Sequence, residues 1–350
     1  MIRDKRFVRW ATVTLIALYL VVIAGAVVRA TGSGMGCPDW PRCFGYYIPP
    51  TDPFQLEFHP QQEYRKGIMI IRNDTLWRAT TDFTSTADFN PSNWEKYPKH
   101  DYAKFVWWQT WVEYVNRLLG ALSGLCMLVL ALMSLRYWKT DRTIVYALIV
   151  AFLMILFVSW LGAIVVATNL KPWSITLHML SALIMIAVVL FVQSRVPLKT
   201  GLIQKFIITR RSRLLLAGAL VLTLSQTIFG TRVRQQIDTI KNNMDGLSRE
   251  TWIEQLDNGY LLHMLTAVIT LLLNSLLCYL LWKQKPQGTM KWLTIGMLLF
   301  VWGEYGAGVL MHNFAIPSFV QPVHLVFAVV LFGLQFAYLM RTKSPSTKLV

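Results

Sequence analysis

The sequence predicts an all-α integral membrane protein in which eight transmembrane helices form two pseudo-symmetric four-helix bundles. Hydrophobic residues make up 55% of the chain and charged residues 15%, with a mean hydropathy of +0.44. This balance excludes a soluble domain. Eight apolar runs are each long enough to cross a bilayer core of about 30 Å. Motifs in the second and third runs recur in the sixth and seventh, so the repeat unit is four helices.

The apolar runs are predicted to be helices, because a bilayer offers no water to satisfy exposed backbone groups. The first run has basic flanks but no convincing small-residue cleavage site, so it is expected to be a retained helix. Residues 233–258 carry no such run and are expected to form an outer loop. The predicted spans are approximately 8–30, 107–135, 144–168, 174–195, 213–231, 259–282, 291–313 and 317–340.

The formal net charge of +16 is concentrated at the amino terminus, in alternate connections between helices and in the tail. The other short connections carry almost no Lys or Arg. Under the positive-inside rule, this asymmetry places both termini in the cytoplasm. It therefore indicates contact with membrane lipid rather than with nucleic acid.

This orientation divides the chain into two halves joined on the cytoplasmic side. Residues 1–195 form the predicted N-terminal bundle, 196–212 the cytoplasmic linker and 213–350 the C-terminal bundle. The outer loop 31–104 belongs to the first half. Its insert at 54–100 is expected to be an ordered cap, because long structureless loops are uncommon in compact proteins.

Histidines recur at matching positions near the outer ends of the helices. Asn116 of helix two aligns with His263 of helix six, while His178 and His324 follow helices three and seven through proline-containing connections. Ionisable side chains in apolar spans are costly and usually functional, and histidines on facing helices can hold haem iron. Each histidine alone can equally be a hydrogen-bonded interfacial residue, but the repeat favours haem ligation by His263 and His324.

Other polar side chains lie at the same outer depth. Glu113, Asn116 and Arg117 are spaced i, i+3 and i+4 and share one helical face. Glu113 is either a catalytic or proton-transferring carboxylate or the ion-pair partner of Arg117. Arg29 and Arg234 each lie four residues after a glycine, where an arginine can clamp a haem propionate or extend its charged end to the membrane surface.

Helix seven carries two more polar residues. Glu304 is deep in the span and is interpreted as either a neutral hydrogen-bonded group or a proton relay. His312 is near the outer end. Because the matching position in the first half is not histidine, a packing or interfacial role is favoured for His312.

Cys37 and Cys43 lie in a glycine-rich outer loop. An oxidising outer compartment permits a disulfide between them. The alternatives are two free thiols or a structural metal site, which would need more ligands than are nearby. The glycines and prolines of the loop predict tight turns packed against another element.

Several of these segments together resemble the haem A synthase family. They are Ile23-Ala-Gly-Ala-Val-Val-Arg29-Ala-Thr-Gly-Ser-Gly-Met-Gly-Cys37-Pro-Asp-Trp-Pro-Arg-Cys43, Glu113-Tyr-Val-Asn116-Arg117, Gly162-Ala-Ile-Val, and the histidines of helices four, six and eight. The resemblance covers the chain apart from the insert. It implies two pseudo-symmetric bundles in a bacterial-type cytoplasmic membrane, and an enzyme that oxidises the methyl at carbon 8 of haem O to a formyl group. The product, haem A, serves haem-copper oxidases.

The resemblance also implies roles for residues of this chain. It implies a permanent haem b between His263 and His324, and a substrate haem O bound in the first half by His178. It further implies that Glu113 is needed for activity and that the two outer-loop cysteines are paired. The candidate haem-binding arginines are Arg29, Arg117 and Arg234.

The chain departs from the family pattern at Asn116, where the family usually has histidine. An amide is a poor ligand for haem iron compared with imidazole. His178 is therefore expected to bind the substrate haem alone, with one coordination position open. The expected partners are haem O, haem O synthase, the terminal oxidase assembly machinery, membrane lipid and an electron acceptor.

Two rival classes of protein share some of these features. A non-catalytic haem-binding or assembly protein would explain the loss of histidine at Asn116. A di-haem b-type electron-transfer protein would hold two bis-histidine pairs across the bilayer, whereas the candidate ligands here all lie on the outer side. A transporter built from repeats is a weaker alternative, because its repeats would more often be inverted.

Overall fold

The computed structural model describes residues 4–97, 105–167, 172–196, 206–243 and 249–344. Eight of its helices are long and apolar enough to cross a membrane, which confirms the predicted integral, multi-pass class. Their bounds are α1 Lys5–Thr31, α2 Trp107–Ser134, α3 Arg142–Ala167, α4 Pro172–Arg195, α5 Arg210–Asn243, α6 Asn258–Lys283, α7 Thr289–Asn313 and α8 Val320–Met340.

Side chains on the outside of the helices are apolar, as a lipid environment requires. Val221, Leu272 and Trp292 have 63%, 63% and 71% of their surface exposed. Met127 and Leu148 are fully buried between helices of the first half. The helices therefore present apolar surface both to each other and to lipid.

The helices pack as two neighbouring groups of four. In the first group, α1 and α3 each contact α2 and α4; in the second, α5 and α7 each contact α6 and α8. The groups meet where α8 contacts α1 and α4. At this interface Gly333 of α8 lies against the Tyr19 hydroxyl of α1, in space that a Cβ would occupy. Glycine thus permits the close approach of the two halves.

Local capping fixes where several helices begin and end. The Asp4 side chain accepts a hydrogen bond from the Phe7 N–H at 3.1 Å, and Gly32 ends α1 with a left-handed φ of 70°. Asp257 caps α6 by accepting from the Gly259 N–H at 2.7 Å. Such caps satisfy backbone groups that the helix itself leaves unpaired.

The outer insert, which was expected to be an ordered cap, contains short strands. Three strands pair antiparallel in chain order to form one small sheet, and two more form a separate antiparallel ribbon. Aromatic side chains, including those of Tyr64 and Trp94, pack between them. Residues 98–104 lie outside the described part. The strands are β1 Glu63–Tyr64, β2 Met69–Arg72, β3 Thr75–Ala79, β4 Phe83–Thr84 and β5 Trp94–Lys96.

Helix α5 runs to Asn243, well past the predicted end at residue 231. The expectation of an outer loop over 233–258 was therefore wrong for its first part. The added turns are polar and are stabilised by ion pairing between Arg234 and Asp238, four residues apart on one face. A hydropathy pattern detects only the apolar part of such a helix.

The segment 196–212, predicted to be a cytoplasmic linker, is described only at residue 196 and from residue 206 onward. Residues 197–205 lie outside the described part, and Arg210 already begins α5. Strand β6 (Phe206–Ile207) pairs in parallel with β7 (Thr342–Lys343). The segment that enters α5 is thus joined to the segment that leaves α8.

Candidate functional site

Two histidine rings of the second helical group face each other near its outer end. His263 lies in the second turn of α6 and His324 in the second turn of α8. Their ring centroids are 6.4 Å apart and their planes are inclined at 83°. Two imidazoles on opposite sides of one metal, each bonded at about 2 Å, place their centroids roughly 6 Å apart. The spacing therefore fits one metal centre between the rings.

Hydrogen bonding orients one of the two rings. His324 Nδ1 donates to the backbone carbonyl of Glu304 at 3.0 Å. This bond leaves Nε2 of His324 as the nitrogen with a free lone pair, as a metal ligand requires. The Nδ1 atom of His263 is buried and has no hydrogen-bond partner in the described part of the chain.

Glycines let neighbouring helices approach both rings. A Cβ at Gly230 of α5 would lie 3.3 Å from Cε1 of His263, and one at Gly308 of α7 would lie 3.6 Å from Cε1 of His324. Among the described residues, no group of three or more His, Cys, Asp and Glu side chains gathers as a metal site. A lone histidine pair suits a metal that brings its other ligands with it, as haem iron does through its porphyrin. The residues present therefore fit a haem.

The first helical group repeats this arrangement with one change of residue. A Cβ at Gly25 of α1 would lie 3.8 Å from Oδ1 of Asn116, and one at Gly162 of α3 would lie 3.9 Å from Cε1 of His178. The Asn116 Oδ1 and His178 Nδ1 atoms are buried without hydrogen-bond partners among the described residues. The first group thus offers one imidazole and one amide where the second offers two imidazoles.

Glu113 of α2 lies against the cysteine loop, and each of its carboxylate oxygens has a donor. Its Oε1 is 2.5 Å from Arg117 Nη2, and its Oε2 accepts a hydrogen bond of 2.9 Å from the Cys37 N–H. Arg117 also donates to the backbone carbonyls of Asp39 and Arg42 at 2.8 and 2.9 Å. Only 4% of the Glu113 side chain is exposed. The two paired side chains therefore fasten the loop to α2 through hydrogen bonds to its backbone.

The cysteine loop is a closed, buried structure. Cys37 and Cys43 form a disulfide, which confirms the disulfide among the alternatives left by the sequence. A Cβ at Gly36 would lie only 2.7 Å from the Gln109 carbonyl oxygen, so glycine is required where the loop meets α2. Burial raises the pKa of Asp39, whose Oδ2 accepts from the Gly45 N–H at 3.0 Å.

The two predicted arginines converge on a carboxylate that sequence reasoning missed. Arg29 Nη2 and Arg234 Nη2 lie 2.9 Å from Oδ2 and Oδ1 of Asp238, respectively. Arg234 Nη1 also donates to Oε1 of Gln321. The spacing of Arg234 and Asp238 by four residues was the local signal for this pair, but it fell in a segment expected to be a loop.

The remaining polar residues of α7 have different surroundings. Glu304 Oε1 lies 3.4 Å from His324 Nε2, and its Oε2 is buried without a hydrogen-bond partner in the described part. His312 Nδ1 lies 2.8 Å from the Tyr260 hydroxyl on the exposed outer rim. Glu304 thus lies beside the histidine pair, in contact with His324, whereas His312 contacts Tyr260 instead.

Comparison with known proteins gave consistent matches. A family model described as cytochrome oxidase assembly protein matches residues 8–336. A protein named heme A synthase from Shewanella oneidensis is 27% identical over 183 residues, which are 52% of this chain and 43% of that protein. Another of that name from Geobacillus kaustophilus is 40% identical over 81 residues, 21% of this chain and 26% of its own. The chain thus aligns with less than half the length of these relatives.

Proposed function

The chain belongs to the cytochrome oxidase assembly protein family, and on that premise we propose that it is a haem A synthase. It would oxidise the carbon-8 methyl of haem O to a formyl group. The observation that carries this proposal is the unequal repeat of the ligand positions. His263 faces His324 in one half, while His178 and Asn116 occupy the corresponding places in the other. One half suits a permanently held haem and the other a haem that must enter and leave.

In the second half, His263 and His324 would hold a resident haem b. When bound, that group supplies one-electron redox chemistry, for which the protein provides position and surroundings. The Glu304 carbonyl fixes the orientation of the His324 ring through the bond to Nδ1. Gly230 and Gly308 keep the two imidazoles against backbone rather than side chains.

In the first half, His178 would bind the iron of haem O from one side. Asn116 stands where the repeat has a second histidine, and its amide is a weak ligand for iron. The substrate is therefore held by one strong bond and can be exchanged after oxidation. The oxidised methyl lies on the porphyrin edge, so the reaction does not require a second axial ligand.

Glu113 lies three residues before Asn116 on α2, with both carboxylate oxygens already held by donors. A carboxylate fixed in this way can stabilise positive charge that develops on the porphyrin edge. It is less suited to carry protons, because a proton carrier must exchange its hydrogen-bond partners. We therefore assign Glu113 an electrostatic role in oxidation of the methyl.

The proposed reaction requires other proteins that supply its substrate and use its product. Haem O synthase would supply the substrate, and terminal oxidase assembly would consume haem A. Water would supply the formyl oxygen, an electron acceptor would take the four electrons removed, and the four protons would be released to water. The distribution of Lys and Arg favours cytoplasmic termini in a bacterial-type cytoplasmic membrane. Both haem sites would then lie near its outer surface.

The test is to express the chain in bacteria that contain haem O synthase and to separate the extracted haems by chromatography with mass detection. Haem A or its hydroxylated precursor is expected from the wild type. Glu113→Gln is expected to lower the yield about a hundredfold, the scale for loss of one electrostatic stabiliser. Glu95→Gln, an exposed site in the insert, serves as the matched control. Unchanged haem O in a folded, haem b-loaded wild type would overturn the proposal in favour of a non-catalytic haem-binding protein.

A further inference from the structure

We propose that Asp238 is a positioning residue shared by the two haem sites, which it couples by holding Arg29 and Arg234 on one carboxylate. The inference rests on the proposed function only for the identity of the bound groups. Its structural basis is a contact between the two helical groups. Arg29 belongs to α1 of the first group, and Asp238 and Arg234 belong to α5 of the second.

The carboxylate divides its two oxygens between the arginines. Oδ2 lies 2.9 Å from Arg29 Nη2 and Oδ1 lies 2.9 Å from Arg234 Nη2. Arg234 Nη2 also approaches the backbone carbonyl of Arg29 at 3.5 Å. Among the described residues, Asp238 is the one carboxylate paired with either arginine. Both guanidinium groups are therefore aimed by the same side chain.

Each arginine lies one turn outward from a ligand position. Arg29 follows Gly25, which faces Asn116, by four residues, and Arg234 follows Gly230, which faces His263, by the same number. Four residues of helix rise about 6 Å. The bridge thus lies about one helical turn beyond both candidate ligand positions, where it would hold the propionates of a bound haem.

A hydrogen bond in the second helical group independently places Arg234 next to a candidate ligand position. Gln321 accepts a hydrogen bond from Arg234 Nη1 and lies three residues before His324 on α8. Arg234 therefore spans the outer end of the second site, between Gln321 and Asp238. The same arginine is anchored to the helix that carries one candidate ligand and to the carboxylate shared with the first half.

Both arginines retain hydrogen-bonding capacity for a ligand. Their Nε atoms are buried and have no hydrogen-bond partner in the described part of the chain, and 24% of each side chain is exposed. Arginine binds carboxylates through more than one N–H at once. A haem propionate is a carboxylate, so it can accept from the Nε–H of these arginines while Asp238 holds their Nη2 atoms.

Sharing one carboxylate has an electrostatic consequence. A propionate that binds Arg29 competes with Asp238 for that guanidinium, and Asp238 then interacts more strongly with Arg234. The positive charge beside the second site decreases as a result. Binding of haem O in the first half is therefore expected to change the midpoint potential of haem b in the second half.

The experiment is a redox titration of the purified protein loaded with haem b, before and after addition of haem O. In the wild type, haem O is expected to lower the haem b potential, because less positive charge favours the oxidised form. Asp238→Asn is expected to raise the starting potential and to lose most of the shift. Asp238→Glu, which keeps the charge, retains the shift. Glu254→Gln, which removes an exposed outer carboxylate, behaves as wild type.

An equal shift in the wild type and Asp238→Asn would overturn the coupling, as would a wild type without any shift. If Asp238→Asn does not retain haem b, the test depends on Asp238→Glu, which keeps the negative charge. Loss of the haem O-induced shift in Asp238→Glu would refute the role of that charge. This readout is separate from product formation. A chain that makes no haem A but shows the Asp238-dependent shift would refute the proposed enzyme and keep the bridge.

Discussion

The ion pair between Glu113 and Arg117 provides a quantitative test of how the outer loop is held. Glu113→Ala removes the partner of Arg117 and the acceptor of the Cys37 N–H bond. The Arg117 side chain is only 14% exposed, so its charge would stay largely buried without a carboxylate. Loss of the pair therefore affects both the stability of the protein and the attachment of the disulfide loop.

The expected magnitude follows from the burial of the two groups. Breaking a buried ion pair by removal of one partner costs about 3–5 kcal/mol. The backbone carbonyls that also accept from Arg117 reduce this cost, since they still solvate the guanidinium. We expect the free energy of unfolding to fall by about 3 kcal/mol in Glu113→Ala.

The assay is a double-mutant cycle with Glu113→Ala, Arg117→Met and the double variant, measured by SDS-induced unfolding in mixed micelles. The matched control is the pair formed by Arg78 and Glu95, whose side chains are 42% and 47% exposed. Exposed pairs contribute about 0–1 kcal/mol. The coupling energy of the buried pair is expected to exceed that of the control by about 2 kcal/mol. Equal coupling energies for the two pairs would refute the reasoning.

Two further predictions concern the second site and the loop. Gly230→Ala places a methyl 3.3 Å from His263 Cε1 and forces the ring to move; we expect up to about tenfold weaker haem b retention, measured by haem stoichiometry. Gly218→Ala on the same helix meets no atom within 4 Å and should retain haem b normally, so equal loss in both variants would contradict the prediction. Because burial raises the pKa of Asp39, its contribution to stability is fully present below its ordinary pKa of about 4 and is lost as pH rises through the folded-state value. Asp39→Asn should therefore raise the melting temperature at neutral pH and flatten its pH dependence in detergent; an unchanged slope would contradict this assignment.

The transmembrane part of the fold could be predicted closely because lipid imposes one simple rule. Helix α2, expected over 107–135, spans Trp107–Ser134. The strands of the insert were missed because they are two to five residues long. They also lack the long apolar runs by which the transmembrane helices were predicted. The outer turns of α5 were missed because they are polar.

The positions of the candidate ligands could be predicted from the repeat, but the ion-pair and hydrogen-bond partners around them could not. The repeat indicated His263 and His324, and the structure places their ring centroids 6.4 Å apart. The i, i+4 spacing also indicated the ion pair between Glu113 and Arg117, as one of two alternatives for Glu113. The ion pair between Arg29 and Asp238 joins helices that are far apart in sequence. The hydropathy pattern of a single sequence does not indicate such a contact.

A haem A synthase must convert haem O to haem A. The most direct measurement supplies haem O to the purified, haem b-loaded protein with a one-electron acceptor and follows the extracted haem by mass spectrometry. We expect the wild type to convert the porphyrin methyl to hydroxymethyl and then to formyl, and His178→Ala to leave haem O unconverted. Haem O that stays unchanged under conditions where the protein binds it and haem b is reoxidised would contradict the proposed activity.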